Sequence, residues 1–222
     1  MNKPSGPAIL KLLEQQYGQR IWQPSFDPLG ELVLTILSQN TSDKNSRPAF
    51  QSRKKAFPDW SRVLQADIGA IAGPITSGGL ATIKAQRIKS ALGEIQRKRG
   101  SLDLLFLSDL PFEEAREWLV ALPGVGFKTA SCVLCFALGR PAMPVDTHVF
   151  RVATRLGLIP LKTRVDNAHL LLEKAVPSKD IYEFHVLLIE HGRRTCAARR
   201  PTCVSCICKS ICTGYDKYST QI

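Results

Sequence analysis

The 222-residue sequence lacks the features that would place the chain in a membrane or outside the cell. It contains no run of about 18 apolar residues, the length that a membrane-spanning helix needs. Residues 1–18 lack the apolar core of a secretory signal peptide. No internal repeat or low-complexity tract is found either. We therefore expect one large or two small domains, and a location in the cytoplasm.

Acidic residues are fewer than basic residues in this sequence. The chain has 19 Asp and Glu against 30 Lys and Arg, which gives a net charge of +11. The excess is concentrated, since residues 84–99 include six bases and one acid, and residues 193–209 include five bases and no acid. This balance favours a polyanionic partner, most simply nucleic acid, over a basic surface that is merely solvated.

No segment shows the apolar–polar alternation that is typical of a half-buried β-strand. Segments of helical period cover most of the chain instead. Asp27-Pro28 has the N-cap and N1 order of a helix start, and the apolar residues 32–37 that follow predict a buried central helix. The sequence therefore predicts an all-α fold.

Residues 112–138 have the pattern of two helices joined by a tight turn. The first helix is predicted over 112–121 with Asp109 as its N-cap, and the second over 128–138. Between them, residues 122–126 read Leu-Pro-Gly-Val-Gly. Two glycines let the backbone approach a ligand, and N–H groups at a helix N-terminus suit a phosphate. In a basic protein this pattern favours phosphate binding over an ordinary αα turn.

Two side chains near this turn can carry chemistry. Lys128 follows the turn closely, where the positive end of the helix dipole favours a neutral amine over an ammonium. A neutral amine can attack C1′ of a sugar and form a Schiff base. Asp146 suits an N-cap, and its carboxylate could also accept a proton or stabilise positive charge on a sugar. A solvated lysine and a simple cap are the alternatives.

Cysteine is absent from residues 1–131, whereas five of the seven cysteines fall within 196–212. In a cytosolic protein this clustering favours a metal over disulfides. Four of the five have intervals of six, two and five residues and suit a tetrahedral metal or a cubane cluster. These four are Cys196, Cys203, Cys206 and Cys212. Cys208 is a competing ligand, and Cys132 and Cys135 are predicted to be core residues.

The sequence resembles the endonuclease III family of DNA glycosylases in three motifs. These are the glycine turn followed by Lys-Thr-Ala, the Val-Asp-Thr-His at 145–148, and the cysteine spacing. Residues 37–43, 79–85 and 191–193 are similar to further loops of that family, so the resemblance covers about 27–212. The sequence departs from the family at Val120, where many members carry an acid, and at Phe127, where many carry a base. The resemblance implies two helical lobes with a DNA-binding cleft between them. A six-helix lobe with a helix-hairpin-helix would span 23–140, and 1–22 with 141–222 would form a cluster lobe.

The resemblance also implies roles for individual residues. Lys128 would be the nucleophile and Asp146 the essential carboxylate, facing each other across the cleft. The four cysteines spaced by six, two and five residues would hold a [4Fe–4S] cluster in a C-terminal loop. The implied DNA contacts are Gln39, Asn40, Thr41, Ile83, Lys84, Gly124, Val125, Gly126, Thr129, His148 and Arg151.

The activity that the resemblance implies is base-excision repair. A monomer, associated with the nucleoid, would bind double-stranded DNA that carries a damaged base or an abasic site. It would flip out and excise the base, an oxidised pyrimidine, and then cleave the abasic site by β-elimination through a lysine Schiff base. One alternative is a monofunctional mismatch glycosylase, against which Lys128 argues. The other is a non-catalytic, metal-dependent DNA-binding protein.

Overall fold

A computed structural model of the chain describes residues 4–23 and 25–219. Every regular element in these ranges is helical and none is a strand, which confirms the all-α prediction. No helix in the same ranges is long and apolar enough to cross a membrane. Backbone packing divides the chain into two compact units, one formed by Met1–Gln23 and Pro141–Ile222 and the other by Pro24–Arg140.

The described residues form a series of α-helices. They are α1 (Gly6–Tyr17), α2 (Pro28–Ser38), α3 (Asp43–Ala56), α4 (Trp60–Gln65), α5 (Ile68–Ala72), α6 (Ala81–Arg99), α7 (Phe112–Val120), α8 (Phe127–Cys132), α9 (Thr147–Leu156), α10 (Val165–Ala175), α11 (Ile181–Arg194) and α12 (Tyr215–Ser219). Helix α8 continues as a π-helical turn, Val133–Ala137. 3₁₀ turns cover Gly73–Gly78, Leu105–Ser108, Ser178–Asp180 and Cys203–Ser205.

Helix α2 is the centre of the unit Pro24–Arg140. Asp27 caps it, with Oδ1 accepting from the Gly30 N–H at 2.8 Å, and Pro28 is its first residue, as the sequence predicts. Most of α2 is buried, and it packs against α3, α6, α8 and the π-helical turn. A helix that is apolar on nearly every side can bury all its faces only in such a central position.

The start of α7 corrects one prediction. Asp109 does not cap this helix, because the cap position is occupied by Pro111 and the first helical residue is Phe112. A residue that precedes proline is disfavoured in the α region, so the helix does not extend back through residue 110 to Asp109. Asp109 instead follows the 3₁₀ turn Leu105–Ser108. Glu113 and Glu114 lie in the first turn, where the helix dipole favours acids.

In the other unit, α11 packs against both α1 and α9. Helix α1 contributes Ile9, Leu10 and Leu13 to the core and ends at Gly18. Helix α9 begins after Asp146 and ends at Gly157, whose φ of 85° is left-handed and suits glycine. This unit carries all the clustered cysteines in the segment that follows α11.

Candidate functional site

The turn between α7 and α8 is built so that its glycines face solvent. Gly124, at a φ of 76°, and Gly126 are exposed, and Gly126 is the cap residue of α8. Val125 is 5% exposed, and its N–H donates to the Leu122 carbonyl at 3.1 Å. Thr129 is 3% exposed. The side chains of Val125 and Thr129 therefore belong to the core, and the DNA contacts predicted at these two residues stay predictions.

Lys128 is half-buried at the second position of α8, within a unit where α8 packs on α2. An acid on α2 interacts with it. Burial raises the pKa of Glu31, a hydrogen bond from Thr35 opposes that shift, and the positive charges of Lys128 and Arg47 oppose it further. Thr35 Oγ1 donates to Glu31 Oε1 at 3.2 Å. Sequence reasoning missed Glu31, because an acid in the first turn of an apolar helix is ordinarily explained by the helix dipole alone.

The end of α2 presents polar residues beside the turn. Gln39 Nε2 donates to the Gly124 carbonyl at 3.4 Å, and Arg87 Nη1 donates to Gln39 Oε1 at 2.6 Å. Asn40 is exposed with a left-handed φ of 54°, and Thr41 Oγ1 accepts from Asn45 Nδ2 at 3.0 Å. The structure therefore brings Gln39 into contact with the glycine turn, as is required if both belong to one DNA-binding surface. Arg87 was not predicted, since nothing in the helical pattern of α6 marks it out.

The first turn of α6 contains two predicted residues, Ile83 at the surface and Lys84 in the core. Ile83 is 51% exposed, which suits a residue that contacts a ligand. Lys84 is 1% exposed, and its Nζ donates to the Leu37 carbonyl at 2.6 Å and to the Gly78 carbonyl at 2.8 Å. Burial lowers the pKa of Lys84. The Lys84 ammonium joins the end of α2 to the loop before α6, and the DNA contact predicted at Lys84 stays a prediction.

Asp146 caps α9, because its Oδ1 accepts from the Val149 N–H at 2.7 Å. The backbone that leads to Asp146 is fixed by side chains of α10 and α11. Glu173 accepts from the Met143 N–H at 2.8 Å, and a ring nitrogen of the buried His169 lies 2.6 Å from the Met143 carbonyl. A ring nitrogen of His185 lies 2.8 Å from the carbonyl of residue 144. These long-range contacts, which the sequence does not reveal, position the carboxylate.

Arg151, a half-buried residue of α9, joins three parts of its unit. Its Nη2 donates to the Gly192 carbonyl at 2.8 Å and lies 3.1 Å from His148 Nδ1, and its Nε donates to the Cys196 carbonyl at 3.0 Å. Burial lowers the pKa of Arg151. Arg151 thus braces α9 against the end of α11, and the DNA contact predicted at this residue stays a prediction. His148 is half-buried beside it.

The four cysteines predicted as ligands line a single pocket, together with Arg155, His191 and Tyr215. None of the seven cysteines in the described residues forms a disulfide. Arg155 Nη1 donates to Cys196 Sγ at 3.4 Å, and Cys212 Sγ donates to the Arg155 carbonyl at 3.3 Å. Burial raises the pKa of Cys212 to about 11. Four sulfur atoms around one pocket, with an arginine to offset thiolate charge, fit a thiolate-bound metal centre.

A second possible ligand group overlaps with the first. The ligand atoms of His191, Cys206 and Cys208 lie within 4.8 Å of one another. Cys208 is fully buried and does not line the pocket. A hydrogen bond from the Cys208 thiol lowers the pKa of Cys206 to about 4, and His191 adds to the effect. The pocket therefore supports the four-cysteine set, with Cys208 as a hydrogen-bond donor to one member.

Comparison with known proteins gives a consistent result. The family model described as HhH-GPD superfamily base excision DNA repair protein matches residues 33–178. The chain is 34% identical to endonuclease III of Haemophilus influenzae over 98% of its own length and 99% of that protein. It is 42% identical to a putative DNA glycosylase of Arabidopsis thaliana over 74% of this chain, but spans only 56% of that protein. A solved non-covalent endonuclease III–DNA complex matches with a TM-score of 0.79 and 26% identity over 95% of both chains.

Proposed function

Because the chain belongs to the HhH-GPD superfamily of base excision DNA repair proteins, we propose that it is a DNA glycosylase that also cleaves abasic sites. The substrate would be double-stranded DNA, and the base removed an oxidised pyrimidine. The likeness to endonuclease III supports this choice, as does the net charge of +11. Base excision from a duplex requires that the target nucleotide be flipped out of the stack.

Lys128 is the proposed nucleophile, and its position directly after the exposed glycine turn is the observation that carries this function. The neutral amine attacks C1′, the N-glycosidic bond breaks, and the base leaves with the bonding electron pair and takes up a proton. Opening of the sugar ring gives a Schiff base between Lys128 and C1′. Loss of a proton from C2′ then expels the 3′ phosphate, which is β-elimination, and water releases the lysine.

Asp146 is the proposed carboxylate partner in the same reaction. Its Oδ1 is held by the Val149 N–H at 2.7 Å, so the group is oriented before DNA binds. Oδ2 would accept a proton or stabilise the positive charge that develops on the sugar as the base departs. A fixed acceptor is effective here because it does not need to reorganise when that charge appears.

Gln39 and Asn40 are proposed to fill the space that the flipped base leaves in the duplex. Both are polar, both follow a buried helix, and Gln39 contacts the glycine turn. The exposed glycines Gly124 and Gly126 would receive a DNA phosphate. His148 and Ile83, half-buried and exposed respectively, would be further contacts.

The cysteine pocket would hold a [4Fe–4S] cluster on the four thiolates that line it. When bound, the cluster would supply a cross-link through four metal–sulfur bonds that stabilises the loop after α11. The protein's own contribution is the Arg155 guanidinium, which donates to Cys196 Sγ and to the carbonyls of Ala197 and Ala198. These bonds fix the path of the chain around the site.

One assay separates this proposal from its alternatives. Duplexes carrying an oxidised pyrimidine, a mismatched thymine or a preformed abasic site are incubated with the protein, and free base and strand breaks are measured separately. We expect release of the oxidised base together with strand cleavage. Base release that leaves the strand intact would indicate a monofunctional glycosylase, and tight binding with neither product would indicate a non-catalytic DNA-binding protein.

A further inference from the structure

Arg87, on α6, makes contacts that none of the roles described so far uses. Its Nη1 donates to Gln39 Oε1 at 2.6 Å, while Gln39 Nε2 donates to the Gly124 carbonyl at 3.4 Å. Both ends of the Gln39 amide are therefore engaged, one by a charged donor on α6 and one by the glycine turn. A hydrogen bond from a charged donor is stronger than a neutral one, so Arg87 dominates the orientation of this amide.

The aliphatic part of Arg87 lies against the turn itself. A Cβ placed on Gly124 would meet Arg87 Cγ at 3.3 Å and Cβ and Cδ at 3.5 Å. Gly124 also has a φ of 76°, which disfavours any other residue. The absence of a side chain at Gly124 thus lets Arg87 pass close over the turn and reach Gln39.

Lys84 lies three residues before Arg87, on the same side of α6. Its buried Nζ binds the carbonyls of Leu37 and Gly78, so it holds the backbone at the end of α2. Arg87 holds a side chain two residues further on, at the surface. One face of α6 therefore holds both the backbone at the end of α2, through Lys84, and the Gln39 amide, through Arg87.

We infer that Arg87 is a positioning residue that holds Gln39 against the glycine turn, so that the Gln39 amide is already oriented when DNA binds. This inference rests on the proposed function, in which Gln39 fills the gap left by the flipped base. The long Gln39 side chain would otherwise lose rotamer freedom on binding, and that loss weakens association. An arginine suits the task because its aliphatic stem can pack over the turn while its charged guanidinium donates to the Gln39 amide.

A direct contact between Arg87 and a DNA phosphate is the competing role, and the two predict different behaviour. A phosphate contact releases a counterion, so its removal reduces the slope of log affinity against log salt by about 0.9. It would also act independently of Gln39. A positioning residue acts only through Gln39, so its removal has no further effect once Gln39 is gone.

The test uses the full-length protein with a duplex in which 2-aminopurine stands opposite a tetrahydrofuran abasic-site analogue. This probe cannot react, so binding and the fluorescence of the unpaired base are measured without catalysis. Arg87→Met, Gln39→Ala and the double variant are compared with the wild type. We expect Arg87→Met to weaken binding about tenfold, the scale of one charge-assisted hydrogen bond. Its fluorescence change should match that of Gln39→Ala, and the double variant should bind like Gln39→Ala alone.

Arg62→Met is the matched control, because it removes the same charge from an exposed residue of α4 in the same unit. It should leave the fluorescence change intact. Additive losses in the double variant, or a smaller salt slope for Arg87→Met, would assign Arg87 to a phosphate and overturn the inference. If Arg87→Met does not fold, Arg87→Gln carries the same expectation, since its shorter side chain falls short of Gln39.

The two proposals fail in distinguishable ways. A wild-type protein that neither excises a base nor cleaves an abasic site would refute the proposed function. If the wild type is active but the losses of binding caused by Arg87→Met and Gln39→Ala add up in the double variant, only the role of Arg87 is refuted.

Discussion

Replacement of Lys84 by methionine is the sharpest test of how this structure is held together. The side chain is 1% exposed, and its Nζ donates to the Leu37 carbonyl at 2.6 Å and to the Gly78 carbonyl at 2.8 Å. Methionine has a similar volume, so the change leaves no large cavity. It leaves two buried carbonyls without their donor.

The expected magnitude follows from those two hydrogen bonds. Each unsatisfied buried group costs about 1–3 kcal/mol, and relief from burying a charge offsets part of the sum, which leaves a loss of about 3 kcal/mol. In a protein of this size 1 kcal/mol lowers Tm by about 2–4 °C, so Lys84→Met should lower Tm by about 6–12 °C. Thermal unfolding followed by circular dichroism measures this change.

The control is Arg62→Met, whose side chain is 68% exposed and which should change Tm by no more than about 2 °C. The salt slope of DNA binding should be the same for Lys84→Met and the wild type. A Tm within about 2 °C of the wild type, together with a slope reduced by about 0.9, would show that Lys84 binds a phosphate, and the reasoning from its burial would be refuted.

Three further predictions concern single groups. Burial raises the folded pKa of Glu31 above its unfolded value, so the contribution of Glu31 to stability is favourable at low pH and is lost as pH rises through the folded pKa. Glu31→Gln should therefore raise Tm at pH 7 and lose that advantage near pH 4 when the two proteins are melted in parallel. A Tm advantage that grows on acidification would contradict this. Cys208→Ser should keep about four irons per chain by metal analysis and Cys212→Ser should lose them, whereas the reverse result would favour the ligand group that includes Cys208. Glu173→Ala removes the acceptor of the Met143 N–H and should slow base excision about tenfold, whereas Glu173→Gln keeps an acceptor and should retain most activity. Equal excision rates for the two variants would exclude a positioning role for Glu173.

Local sequence rules predicted the elements that depend only on neighbouring residues. Asp27-Pro28 starts α2 and Asp146 caps α9, because a capping residue acts within one turn of chain. The same rules were wrong at α7, where Pro111 lies nearer to the helix than Asp109 and sets its start.

Those local rules could not predict contacts between segments that are distant in the sequence. The helical pattern of α6 predicts basic residues on an exposed face, yet Lys84 turns inward because carbonyls 47 and 6 residues away accept its hydrogen bonds. Glu173 supports the segment before Asp146 from 30 residues away, and Arg87 reaches Gln39 across 48 residues. Each of these partners is set by tertiary packing, for which the sequence carries no local signal.

Borohydride trapping on DNA with a preformed abasic site tests the central claim most directly, because reduction converts a lysine Schiff base into a stable covalent complex. The wild type should form that complex, and Lys128→Gln should form none while it still binds DNA, since one charge among many is lost. Asp146→Asn should still be trapped, although it excises a damaged base about 10²-fold more slowly. A covalent complex that forms with Lys128→Gln at the wild-type rate would show that another amine is the nucleophile.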